Sequence, residues 1–112
     1  TLLFSPDKNK RLQIKDRSGV WHDIRYKPNS VVVNLGNIMQ KWTNNYLKSA
    51  VHRVLESDAD SFTTAYFMYP PKDYKLHQIG PQAQQEDYPM SVQQFLTLFD
   101  KTKQAIKAKH GS

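Results

Sequence analysis

For its first 70 residues the chain alternates short apolar runs with polar turns; after that its character changes. Thr1-Leu2-Leu3-Phe4 reads as a strand, and SPDKNK at 5–10 supplies turn residues and charge for a loop. Leu12 and Ile14 alternate with Gln13 and Lys15, the period of a half-buried strand. Asp16-Arg17-Ser18-Gly19 predicts a hairpin turn, with residues 20–24 returning and Trp21 on the face opposite Val20, His22 and Ile24. Past Pro28-Asn29-Ser30, the Val31-Val32-Val33 run predicts a buried strand over 30–35, ended by Gly36. Ile38, Met39 and Trp42 at helical spacing predict a short helix over 37–42, and Thr43-Asn44-Asn45 turns the chain again. Residues 49–54 and 62–69 predict two further strands around an acidic turn at 56–60. Pro70-Pro71 stops the second of them.

Residues 72–89 are polar and irregular. A helix follows, announced by Ser91 as N-cap and Gln94 three positions on, the pattern of a capping box, with Met90 placed to staple onto Phe95. Val92, Phe95, Leu96, Phe99 and Ile106 fall on one stripe, and the lysine-rich end suits the negative pole of the helix. Many short strands followed by one helix predict a mainly β architecture. The pattern suits part of a jelly roll in 1–70, with a short internal helix, and a loop and C-terminal α-helix in 71–112 packing on it.

At 112 residues the chain is one domain at most. The absence of cysteine excludes a disulfide scaffold and a thiolate metal site. With no signal-peptide pattern and no apolar run long enough to span a bilayer, the expectation is a cytoplasmic protein with no membrane partner. The net charge of +6 raises nucleic acid as a partner. Much of the excess, however, sits in Lys8, Lys10 and Arg11 and in Lys101, Lys103, Lys107 and Lys109, without an accompanying aromatic recognition motif, which argues against it. Because the first residues are already strand-like, the chain reads as a fragment of a larger domain. Its exposed sheet edges are expected to pair with the remainder of that domain or with another chain.

Among the side chains that carry chemistry, His52 stands out. It alternates with Ala50 and Val54 on one strand, so the three share a face, whereas Arg53 points to the other. A mononuclear nonheme iron(II) is held by two imidazoles and one carboxylate with positions left open. A lone strand histidine is by itself a weak signal of that chemistry. His22, His77 and His110 read as surface or loop residues, and Asp58 and Asp60 as a solvated turn. No phosphate-cradling glycine loop and no nucleophile–base pair is present.

The segments TLLF, LQIKDRSGVWHDI, SVVVNLG, QKWTNN and KSAVHRV occur in an order and spacing that resembles the C-terminal half of the iron(II)/2-oxoglutarate-dependent oxygenases, the isopenicillin N synthase-like group. The resemblance implies a double-stranded β-helix and a small-molecule substrate oxidised with iron(II), dioxygen and 2-oxoglutarate. It also implies a metal-ligand role for His52, and it places the family's His-x-Asp pair immediately before the segment matching TLLF, outside this sequence. Family members grip the cosubstrate with an Arg-x-Ser pair beyond the last histidine; here the matching stretch is Ser61-Phe62-Thr63. Thr63 keeps a hydroxyl for the cosubstrate pocket, but Ser61 lacks the guanidinium that would pair with a carboxylate. The register slips, another cation serves, or 2-oxoglutarate is not bound in the usual way. Smaller departures are Asn37 for aspartate and Leu47 for tyrosine. The rival reading is a non-catalytic jelly-roll binding module that has lost the site.

Overall fold

The computed structural model of the chain describes residues 1–5, 11–25, 27–56, 60, 62–85 and 89–110. Its elements, in chain order, are β1 (Leu2–Phe4), β2 (Leu12–Lys15), β3 (Trp21–Asp23), β4 (Val32–Val33), α1 (Asn37–Trp42), β5 (His52–Val54), β6 (Thr64–Tyr66), β7 (Lys75–Leu76), β8 (Met90–Ser91) and α2 (Val92–Lys109). The expected architecture of short antiparallel strands followed by a C-terminal helix is the one observed. The chain divides into two compact units, one of Thr1–Asn37 with Lys48–Met68 and one of Ile38–Leu47 with Tyr69–Ser112.

The first unit holds two three-stranded antiparallel sheets, in the orders β4-β1-β6 and β3-β2-β5. In the first, Leu3 pairs with Val32 and with Ala65. In the second, Ile14 pairs with His22 and with His52, and Leu12 with Val54. The strands are shorter than the runs that announced them. The 30–35 run, for example, forms ladder pairs only at Val32–Val33, while the Ser30 hydroxyl bonds back to the Lys27 carbonyl and the Leu35 carbonyl accepts from the Ala50 amide.

The β2–β3 hairpin shows how local chemistry sets the register. Gly19 has φ +89°, a value that an L side chain rarely adopts. The Asp16 carboxylate organises the turn. Its Oδ1 accepts from the Ser18 amide at 2.9 Å, the Ser18 hydroxyl at 2.7 Å and the Val20 amide at 2.9 Å, while Oδ2 lies 2.6 Å from His22 Nε2. Led by the Ser18 hydroxyl and then His22, these donors hold the Asp16 carboxyl far below its ordinary range. The hairpin is therefore expected to keep this stabilisation above the ordinary value of 3.8 and to lose it as pH falls toward the lowered folded value. Asp16→Asn should remove that acid dependence. Trp21 fluorescence followed through an acid titration of both forms checks this.

The second unit holds the pair β7-β8, with Leu76 opposite Met90, and the long helix. β7 lies in the stretch 72–89 that reads as irregular in sequence, and β8 is formed by Met90 and Ser91, read as staple and N-cap; two-residue strands are too short to show a period. Leu76 is 2% exposed and Val92 is fully buried. The helix starts as its sequence predicts. The Gln94 amide donates to Ser91 Oγ at 3.1 Å and the Ser91 amide donates to Gln94 Oε1 at 2.9 Å, a reciprocal capping box. Ser91→Ala should cost about 1 kcal/mol of stability in denaturant melts, the usual cost of losing such a cap. Phe95, Leu96 and Phe99 are half-buried, but Ile106 is exposed, so the packed stripe ends sooner than the periodicity suggests. Asn44 (φ 47°) and Asn45 (φ 65°) make the turn after α1, a left-handed conformation that asparagine tolerates. No described helix is long and apolar enough to cross a membrane.

Candidate functional site

The inward faces of the two three-stranded sheets enclose a cavity of about 420 Å³, within the range of small-ligand sites. Strand alternation selects its walls. Leu3, Val32 and Ala65 line it from one sheet, and Leu12, Ile14 and Val54 from the other. Gln13 and Arg53, which lie between these positions, are not on the cavity wall. Arg53, adjacent to His52, lies with its guanidinium 4.1 Å from the Trp21 ring centroid and donates from Nε to Gln13 Oε1 at 2.8 Å.

His52 lies on the cavity wall, at the level of Ile14 and His22 in its sheet. Its residue surface is exposed, which is compatible with lining an open cavity. The ring nitrogen Nδ1 lies 2.9 Å from the backbone carbonyl oxygen of Ala50. A carbonyl oxygen only accepts, so Nδ1 carries the proton and donates, and the neutral ring keeps its lone pair on Nε2. A hydrogen bond of this kind fixes the tautomer and orientation of a metal-binding imidazole. The same end of the cavity is lined by Thr1, Asn34 and Phe67. There the two sheets are linked by the Ala50 amide, which donates to the Leu35 carbonyl at 3.1 Å.

The opposite end has a different chemistry. There the ends of β1, β3 and β5 and the starts of β2, β4 and β6 bring Ser5, Ser30 and Thr63 together with Arg11, Arg25 and Lys27 on the cavity wall. Thr63 Oγ1 donates to Ser5 Oγ at 3.3 Å. Thr63 thus lines the cavity, at the end away from His52. Ser61 and Asp58 lie outside the described residues, and Asp60 is exposed. His77 and His110 belong to the second unit. The cationic end was not anticipated, although the alternation Arg25-Tyr26-Lys27 just past β3 was a signal for it.

As a donor set, His52 supplies one imidazole nitrogen. Among the described residues no group of three His, Cys, Asp or Glu comes together. The model of the 2OG-Fe(II) oxygenase superfamily matches residues 1–70. This chain belongs to that superfamily. It is 34% identical over 74 residues to gibberellin 2-beta-dioxygenase 8 of Arabidopsis thaliana, a match covering 65% of this chain and 21% of that protein. It is also 32% identical over 109 residues to a probable 1-aminocyclopropane-1-carboxylate oxidase of Dianthus caryophyllus, covering 91% and 34%. Crystal structures of a full-length Neurospora crassa protein show the same fold. Its complex with alpha-KG superposes with a TM-score of 0.73 at 27% identity over 88% of this chain and 36% of that one. Its complex with alpha-KG and thymine gives 0.73 at 28% identity over 90% and 34%. The oxygenase-superfamily chain thus spans about a third or less of the length of these relatives.

Proposed function

We propose that this chain is the C-terminal portion of a nonheme iron(II)/2-oxoglutarate-dependent dioxygenase that oxidises a small organic substrate. In this reading His52 is one of three protein ligands and Thr63 lines the cosubstrate pocket. The observation that carries it is the His52 ring on the cavity wall, tied through Nδ1 to Ala50 and presenting Nε2 as its donor atom. Iron(II), when bound, supplies the redox chemistry with dioxygen. The residues of this chain bind and orient. The strand pair β2-β5 fixes the imidazole, the apolar walls from Leu3, Leu12, Val32 and Val54 limit water, and the hydroxyls of Ser5 and Thr63 orient a polar ligand group.

The other two ligands belong, by the family pattern, to a segment outside this sequence. The 112-residue chain alone is accordingly expected to be inactive. Anaerobic iron(II) titration into it should show no tight one-to-one binding, and tight stoichiometric binding would contradict the shared-ligand account. The rival reading, a binding module without catalysis, draws support from the serine at position 61. A full-length protein that binds neither iron(II) nor 2-oxoglutarate would favour that rival.

A further inference from the structure

We infer that Arg25 and Lys27, at the end of the cavity away from His52, receive the distal carboxylate of a 2-oxoglutarate-sized dicarboxylate, the task that Ser61 has no cation to perform. This rests on the reading of His52 as a metal ligand only for the ligand's other end. The β2–β3 register, continued one residue past the Ile24 amide that donates to the Leu12 carbonyl at 2.9 Å, carries Arg25 to the level of Arg11, whose carbonyl accepts from the Leu55 amide at 2.8 Å. That level lies three residues along the strands from the level of His52, Ile14 and His22, about 10 Å at the usual rise. The distance suits a ligand held at one end by a metal and at the other by long cationic side chains.

Charge makes the same case. Three cations line this end, and no aspartate or glutamate does so among the described lining residues. Like charges brought together repel one another and attract an anion. Neither the Arg25 nor the Lys27 side chain forms an ion pair or hydrogen bond among the described residues. On the outer face, by contrast, Lys15 and Arg53 both lie over Trp21, at 5.6 Å and 4.1 Å from its centroid. The Ser30 hydroxyl donates to the Lys27 carbonyl at 2.6 Å and the Thr63 hydroxyl to Ser5 Oγ at 3.3 Å, so a carboxylate at this end would be met by the cations. An arginine fork can meet a carboxylate through two parallel bonds, and a lysine adds a movable point charge.

The test uses the full-length protein and three forms of the site. Calorimetry with glutarate on metal-free protein isolates the anion end, because glutarate has no 2-oxo group for a metal. Replacing both cations (R25Q/K27Q) should weaken glutarate binding about tenfold or more, whereas the charge-conserving R25K/K27R should stay within about threefold of the parent. Circular dichroism of each variant confirms that the fold is intact. Equal glutarate affinity in the parent and in R25Q/K27Q, or no glutarate binding by the parent, overturns the inference. Mn(II) titration of the parent and of H52A reports separately on the metal reading. Unchanged Mn(II) affinity in H52A would end that reading, while the glutarate result would still decide the anion site.

Discussion

Replacing His52 by alanine is expected to weaken metal binding by the full-length protein roughly 100-fold or more, beyond the loss seen when only a hydrogen-bonding neighbour of a ligand is removed. The expectation follows from geometry. His52 is pinned at its backbone by pairing with Ile14 and at its ring by the Ala50 carbonyl, so a single nitrogen is left to bind. A purely structural histidine at this exposed position would give a different result, because its removal would change stability slightly and metal affinity not at all. Anaerobic titration with iron(II) or Mn(II) measures the effect. A full-length protein whose metal affinity is the same with alanine at position 52 would remove the residue from the site.

A second large effect is expected at Leu76. Leu76→Ala should lower the unfolding free energy by about 2–5 kcal/mol, the range for truncating a buried leucine. Leu76 sits on β7 opposite Met90, and only it and Val92 are buried apolar residues among those described. The Val92 amide donates to the Tyr74 carbonyl at 3.0 Å, joining the start of α2 to the segment that leads into β7. Removing the leucine side chain would open a void next to the helix start. Total stabilities of small domains are of the same order as this loss. Urea melts of the parent and variant would show it as a lower midpoint. A change under about 1 kcal/mol would mean that the surrounding structure closes over the void.

The site's strands and its histidine were more legible in the sequence than its charges. Leu12 and Ile14 could be assigned to one face because alternation is a backbone property, and the hairpin at Asp16 to Gly19 was legible from turn chemistry. His52 could be placed on one face with Val54 for the same reason, and the structure shows that both line the cavity. The short β7-β8 pair was not legible, because Lys75–Leu76 and Met90–Ser91 carry no period and meet across intervening loop. Ile106 misled, since a helical stripe records only a capacity for burial, and along α2 the packed part of the stripe stops at Phe99. Arg25 and Lys27 were missed for a different reason. Position 61 stands where the family carries a cation, whereas Arg25 and Lys27, past β3, lie at the end of the cavity that Thr63 lines. Such a convergence depends on how the sheets face each other, which local pattern does not encode.

The most direct measurement is anomalous diffraction at the iron edge from a crystal of the full-length protein grown anaerobically with iron(II). The account predicts a single peak at bonding distance from His52 Nε2, with Nδ1 still donating to the Ala50 carbonyl. A peak bound by other residues, with the imidazole turned away from it, would contradict the account.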